Sequence, residues 1–322
     1  MNPKSKGSFI LLPLLLCACL LLCSCGNTTD TESSSVPQTS ATATDNSSPA
    51  AASGSRDNTP VVLTGSADGT VTYGNDSVTI DASHTENGYL MVSYSGSNPK
   101  VKLQITGSDE ITYTYNLHDG YETFPLTSGN GSYTVGVFEN MEGTSYSTLF
   151  TQTLDVTIQD EFGPYLYANQ YVNFTAQSKT VAKAVELSSS ANDDLEVIEN
   201  VYNYIITNFT YDYDKAASVQ SGYLPDVDDV LAKQTGICFD YAAVMAAMLR
   251  CERIPTRLEV GYMGDVYHAW ISTYIKDKGW VNGIIEFDGN DWKLMDPTFA
   301  STSSDPKDFL TQTDEYITKY VY

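Results

Sequence analysis

Beyond residue 25 this chain has only two cysteines, Cys238 and Cys251, and in its whole length only three histidines, His84, His118 and His268. So few thiols and imidazoles cannot assemble a zinc site. Basic residues are also scarce, with 17 Lys and Arg against 40 Asp and Glu and a formal charge of -23. A surface this acidic repels phosphate backbones, which argues against nucleic acid as a partner. It would tolerate cationic peptides or amines, but solubility alone explains it equally well. The acidic stretch Asp226, Asp228, Asp229 lacks the alternating oxygen ligands, central glycine and distal glutamate of an EF-hand loop. Neither a metal nor a cofactor is expected.

The remaining four cysteines fall in the first 25 residues. There Lys4 and Lys6 precede an apolar run from Phe9 to Leu22, followed by Leu22-Cys23-Ser24-Cys25. The run is too short to span a bilayer as a mature helix and reads as a cleaved export signal over residues 1–25. Its end resembles the bacterial lipobox. That resemblance implies cleavage before Cys25, acylation of the Cys25 thiol, and a lipoprotein held at the cell membrane on the extracytoplasmic side. The plainer alternative is an ordinary secretory signal. Loss of Lys4 and Lys6 takes the formal charge to -25. Residues 26–58 are Ser, Thr, Ala, Asn and Asp with almost nothing large and apolar, which reads as a disordered tether spanning roughly 30 Å.

From residue 59 to 158 apolar residues recur with period two. Val101, Leu103 and Ile105 alternate with Lys102 and Gln104; Tyr113, Tyr115 and Leu117 alternate with Thr112, Thr114 and Asn116; Tyr133, Val135 and Val137 follow. Short runs at 70–73, 77–80, 89–94 and 148–158, separated by turns such as Gly129-Asn130-Gly131, complete a set of strands that fits an all-β immunoglobulin-like sandwich. No cysteine pair crosses it, so packing alone must hold it. Regular alternation assigns its tyrosines to structure rather than to a carbohydrate platform.

Residues 159–322 change character. After a connector near 162–174, Ile198, Val201, Tyr202, Ile205 and Phe209 recur at helical spacing behind an Asp193/Glu196 capping pair. A short helix is expected over 227–233. The run 238–250, with Phe239, Ala242, Ala243, Ala246, Ala247 and Leu249, reads as a buried central helix. If that helix joins Cys238 to Cys251, thirteen residues at about 1.5 Å each place them about 20 Å apart, beyond the roughly 7 Å a disulfide allows. Both are expected as free thiols, Cys251 as a small buried hydrophobe. Strands at 257–262, 267–275, 280–287 and 292–295 complete an α+β domain.

Three short segments in this region supply a thiol, an imidazole and a carboxylate in order: Gly236-Ile237-Cys238, His268-Ala269-Trp270 and Asp296-Pro297-Thr298. A free thiol is only about 3 per cent ionised at pH 7, so a working cysteine needs a partner. Histidine supplies it, and a carboxylate orients the imidazole. Over roughly residues 195–300 the order and context resemble the transglutaminase-like superfamily, with its papain-like cysteine chemistry. The resemblance implies that Cys238 is the nucleophile at a helix start, His268 the base on a strand, and Asp296 the orienting carboxylate. Tyr211 and Gln234 are candidates for a second oxyanion donor. The family commonly reads Gly-Ile-Pro-x-Arg after the nucleophile helix; here Arg253-Ile254-Pro255-Thr256-Arg257 replaces the glycine at a position where a left-handed residue is often needed. The implied activity is thioester formation from an amide or peptide carbonyl, then transfer to an amine or to water, on a protein or peptide substrate at the cell surface. The rival is a catalytically inert surface-binding or scaffolding lipoprotein. Oligomeric state is not legible.

Overall fold

Period-two alternation builds the first half of the molecule. The computed structural model describes residues 55–276, 278–282, 284–287, 292–295 and 316–322. Cys25 and Asp296 lie outside the described residues. Eight strands, β1 (Thr72–Gly74), β2 (Val78–Asp81), β3 (Tyr89–Tyr94), β4 (Val101–Thr106), β5 (Thr112–Leu117), β6 (Gly120–Pro125), β7 (Gly131–Glu142) and β8 (Ser145–Val156), make two antiparallel sheets ordered β1-β2-β3-β6 and β5-β4-β7-β8. Leu103 of β4 lies opposite Tyr115 of β5 and Val137 of β7, and all three are buried. Tyr113, Tyr115 and Tyr133 are buried too, as their alternation predicts. The Tyr133 hydroxyl keeps a partner by donating to the Gly129 carbonyl at 2.8 Å.

The segment before β1 departs from expectation. Residues 55–58, read as the end of a tether, are held against the later half of the chain. Arg56 pairs with Asp194 at 2.6 Å and with the buried Glu252 at 3.0 Å, and Val61 N–H donates to the Cys251 carbonyl at 2.8 Å. One arginine reaching two carboxylates orders a stretch whose composition lacks apolar anchors.

Helices follow: α1 (Lys179–Ser188), α2 (Asp194–Asn208), the short strand β9 (Thr210–Tyr211), α3 (Tyr213–Ser218), α4 (Val227–Lys233), the short strand β10 (Thr235–Gly236) and α5 (Cys238–Cys251). Asp193 caps α2 by accepting from Glu196 N–H at 2.9 Å. The acidic stretch considered for calcium caps helices instead. Asp226 accepts from the Asp228 and Asp229 N–H groups at the start of α4, while Asp228 accepts from the Lys179 and Thr180 N–H groups at the start of α1. Those four donors are ones a helix N-terminus leaves unpaired.

Every residue from Asp240 to Cys251 is buried, which makes α5 the central helix of this half. It packs on α1, α2 and α4, and on two strands that follow it. Those strands, β11 (Thr256–Met263) and β12 (Val266–Ile275), join β13 (Gly279–Asn282) and, later, β16 (Tyr316–Val321) in an antiparallel sheet ordered β13-β12-β11-β16. Between them β14 (Ile284–Phe287) and β15 (Trp292–Met295) pair as a hairpin. The expected strand over 280–287 is therefore two strands in two sheets, and β16 has no counterpart in the sequence reading. Its pattern is half-buried and polar at Thr318 and Lys319, and its partner β11 lies more than fifty residues earlier.

Arg253 occupies the left-handed position after α5, with φ 65°. Ile254 N–H closes the helix on the Leu249 carbonyl at 3.0 Å, the Schellman arrangement in which glycine is usual. The side chain compensates by pairing with Asp57 at 3.0 Å.

Candidate active site

The approach to Cys238 is fixed by three local devices. Strands β9 and β10 run parallel, with Tyr211 beside Gly236, and so bring Tyr211 to the entrance of α5. Gly236 is needed for close approach: a Cβ there would lie 2.7 Å from the Asp240 Cβ and 2.8 Å from its Oδ2. The Asp240 carboxylate uses that space to fold back and accept from Ile237 N–H at 2.8 Å. It is fully buried, and it also accepts from Lys215 Nζ and from the Tyr223 hydroxyl, each at 2.6 Å. The turn before the cysteine is thus pinned from within its own helix.

Cys238 is the first residue of α5 and is half-buried. The positive end of the helix dipole lies at that terminus. Cys251, at the other end of the same helix, is fully buried, and its thiol donates to the Met248 carbonyl at 3.1 Å. Burial pushes it up to about 12, so it is inert at neutral pH. Both cysteines are free.

His268 stands on β12 opposite Gly261 of β11 and is 4 % exposed. Two residues on and facing the same side, Trp270 stacks on the imidazole with centroids 6.1 Å apart and meets Tyr316 of β16 edge-on at 4.9 Å. Trp280 likewise packs, against Tyr165 and the Arg257 guanidinium. Because β12 packs on α5, Cys238 and His268 line one cavity of about 640 Å³. Asp296, the residue after the end of β15, and Cys25 lie outside the described residues.

Of the two candidates for a second oxyanion donor, the structure brings one to the cavity. Tyr211 lines it, and the Cys238 backbone N–H bonds to the phenol oxygen. Burial, then the neighbouring Cys238 sulfur, push that phenol up to about 12, so it keeps its proton as a donor. Gln234 instead closes α4 in a left-handed conformation with φ 51° and directs its amide to the Tyr204 hydroxyl at 3.4 Å. Sequence reasoning missed Asp240, Lys215 and Tyr223. For Asp240 a signal existed, an acid at the third position of a helix; for the other two, long-range partners are invisible in sequence.

The cavity is backed by the first half of the molecule through an aromatic seam. Tyr115 of β5 contacts Tyr171 and Tyr322 at 5.6 and 5.9 Å, those two meet at 4.5 Å, and Tyr171 meets Phe239, the neighbour of Cys238, at 5.4 Å.

Comparison with known proteins agrees with this picture at the level of one domain. Residues 181–283 match the family model of the transglutaminase-like superfamily. The UPF0252 protein MJ1282 of Methanocaldococcus jannaschii is 31 % identical over 90 residues, which cover 26 % of this chain and 24 % of that protein. The chain thus spans about a quarter of that relative's length. Among solved structures, the periplasmic domain of TgpA from Pseudomonas aeruginosa is 14 % identical with a TM-score of 0.34, covering 74 % of this chain and all of that one. Red sea bream transglutaminase is 16 % identical with a TM-score of 0.29, covering 67 % of this chain and 48 % of its own. The matched stretch runs from α1 to the end of β13 and contains both Cys238 and His268, so this part of the chain is similar to the transglutaminase-like superfamily.

Proposed function

We propose that this protein is a membrane-anchored extracytoplasmic cysteine enzyme of the transglutaminase-like kind. The observation that carries the reading is a helix-terminal thiol and a strand imidazole on the wall of one cavity. The Cys238 thiolate attacks an amide or peptide carbonyl, and the developing oxyanion is received by helix N–H groups and the Tyr211 hydroxyl. His268 protonates the leaving nitrogen as the C–N bond breaks, leaving a thioester. An amine or water then attacks, His268 takes its proton, and the thiolate is restored. Asp296 orients the imidazole; that role rests on the sequence resemblance. Cys25 carries the lipid, and the two-sheet region, read as immunoglobulin-like, holds the cavity's outer wall. The substrate is a protein or peptide at the cell surface.

The test is selective alkylation. Iodoacetamide near neutral pH is expected to modify Cys238 at least about a hundredfold faster than Cys251, because the buried thiol is almost wholly protonated there. Equal, slow labelling of both would favour the alternative of an inert surface-binding or scaffolding lipoprotein. A labelled primary amine offered with a glutamine-containing protein then separates the outcomes: incorporation with ammonia release means transfer, new peptide termini mean cleavage.

Tyr211→Phe removes a donor while keeping the ring. It is expected to lower kcat about a hundredfold with a much smaller change in KM, as loss of one oxyanion donor does elsewhere. A changed KM with kcat intact would assign Tyr211 to substrate binding instead.

A further inference from the structure

The walls of the cavity say what sort of group it accepts. Among the described residues no Asp, Glu, Lys or Arg lines it. Its surface comes from Tyr171, Tyr211, Tyr267, Tyr322 and Phe239, with valines between them. The phenols are neutral: burial pushes Tyr171 and Tyr211 up to about 12, and Tyr267 and Tyr322 also above the ordinary range. Apart from the reacting Cys238 and His268, a charged side chain entering this space would shed its hydration and find no charged partner among the described lining residues, whereas an aromatic or branched aliphatic one would exchange water for rings.

One wall is built separately from the rest. The segment from Tyr213 to Tyr223 comprises α3 and a loop, and its middle residues Ala216, Val219, Gln220 and Gly222 face the cavity. Its two ends are tied together and to the nucleophile helix. Lys215 Nζ donates to the Tyr223 hydroxyl at 2.7 Å and to Asp240 Oδ2 at 2.6 Å, while the Tyr223 hydroxyl donates to Asp240 Oδ1 at 2.6 Å. The ammonium also sits 4.3 Å from the Tyr223 ring centroid. From outside, Gly222 abuts β5 so closely that a Cβ would fall 2.2 Å from the Asn116 amide nitrogen. Lys215 and Asp240 are thus paired with each other behind Tyr223, and the strap is held between a buried carboxylate and a sheet.

We infer that this cavity is the subsite for the acyl-side residue of the substrate, that it takes an uncharged aromatic or branched aliphatic side chain, and that the Lys215–Tyr223–Asp240 tie holds the wall that selects it. The inference rests on the reading of Cys238 as nucleophile. Asp240, Lys215 and Tyr223 are positioning residues, since they reach the substrate only through the strap. A preformed, largely apolar pocket with few polar groups is what such selection requires.

The full chain is treated with chloromethyl ketones of acetyl-phenylalanine, acetyl-leucine, acetyl-aspartate and acetyl-lysine, with iodoacetamide as the small reference, and the Cys238 adduct is followed by mass. The phenylalanine and leucine reagents are expected to react at least tenfold faster than the aspartate and lysine reagents, each relative to its reaction with a free thiol. Tyr223→Phe, which keeps the ring and removes its hydroxyl from the tie, is expected to shrink that preference at least threefold, and Lys215→Met to do the same. Charged reagents reacting as fast as apolar ones on the wild-type chain would overturn the assignment of substrate class. An undiminished preference in both variants would overturn the role of the tie. Failure of iodoacetamide to favour Cys238 over Cys251 is a different result, which removes the nucleophile and this inference with it.

Discussion

Cys238→Ala is expected to abolish acyl transfer and hydrolysis alike, with turnover falling by at least about ten-thousand-fold. Both outcomes of the proposed chemistry pass through a thioester on this sulfur, so no acceptor bypasses the loss. Folding is expected to survive, because the side chain is half-buried at the first position of α5 and alanine is the best helix former. That separates this variant from a simple loss of structure: its thermal transition stays near that of the parent while the activity goes. His268→Ala is expected to cost nearly as much, about a hundred- to ten-thousand-fold, since the imidazole both ionises the thiol and moves the proton. Asp296→Asn is expected to cost less, because a thiolate–imidazole pair outlasts a poorly oriented ring. Measurement of labelled-amine incorporation and of new peptide termini in parallel checks all three, and full turnover by the Cys238 variant in either assay would end the mechanism.

Much of this site was legible because its signals are local. The apolar run 238–250 reads as a buried helix, and the alternation around Leu103, Tyr115 and Val137 fixed which faces pack. What could not be read depends on partners far apart in sequence. Asp228 looked like part of an acidic cluster; its carboxylate caps a helix 48 residues earlier. Lys215 ends a polar Tyr-Asp-Tyr-Asp-Lys run that carries no local sign of its partners, yet it finds Asp240 and Tyr223 and closes a cavity wall. The glycine lost at Arg253 looked like a defect in the helix end. The left-handed turn forms all the same, with its side chain tied to Asp57 in a stretch whose composition reads as tether. Composition describes what a segment can bury, not which carboxylate a lone arginine will meet.

Arg250→Met is expected to destabilise the protein by about 3–5 kcal/mol, read as a fall in denaturation midpoint of roughly 10 °C. Arg250 is 1 % exposed and lies one residue from the end of α5. Its guanidinium donates to three backbone carbonyls: Thr256 at 3.0 Å, Tyr167 at 2.8 Å and Tyr322 at 2.8 Å. These belong to the first residue of β11, the connector from the two-sheet region, and the residue just after β16. Burial pushes the guanidinium down to about 9, still above neutrality, so the group is a cation at pH 7 with carbonyl dipoles around it. Methionine matches its length and packs well, and for a buried ion pair replaced whole by apolar groups that can be harmless. Here only the donor is removed. The Tyr322 oxygen keeps Leu258 N–H as a donor at 2.9 Å, but the Thr256 and Tyr167 carbonyls lose the guanidinium, each loss worth about 1–3 kcal/mol before relaxation, and that asymmetry decides the sign. Arg250→Lys is expected to fall between the two, because one ammonium cannot reach three acceptors set by a planar fork. A methionine variant within about 1 kcal/mol of the parent would mean that water replaces the guanidinium and that the three segments are held by the aromatic seam alone.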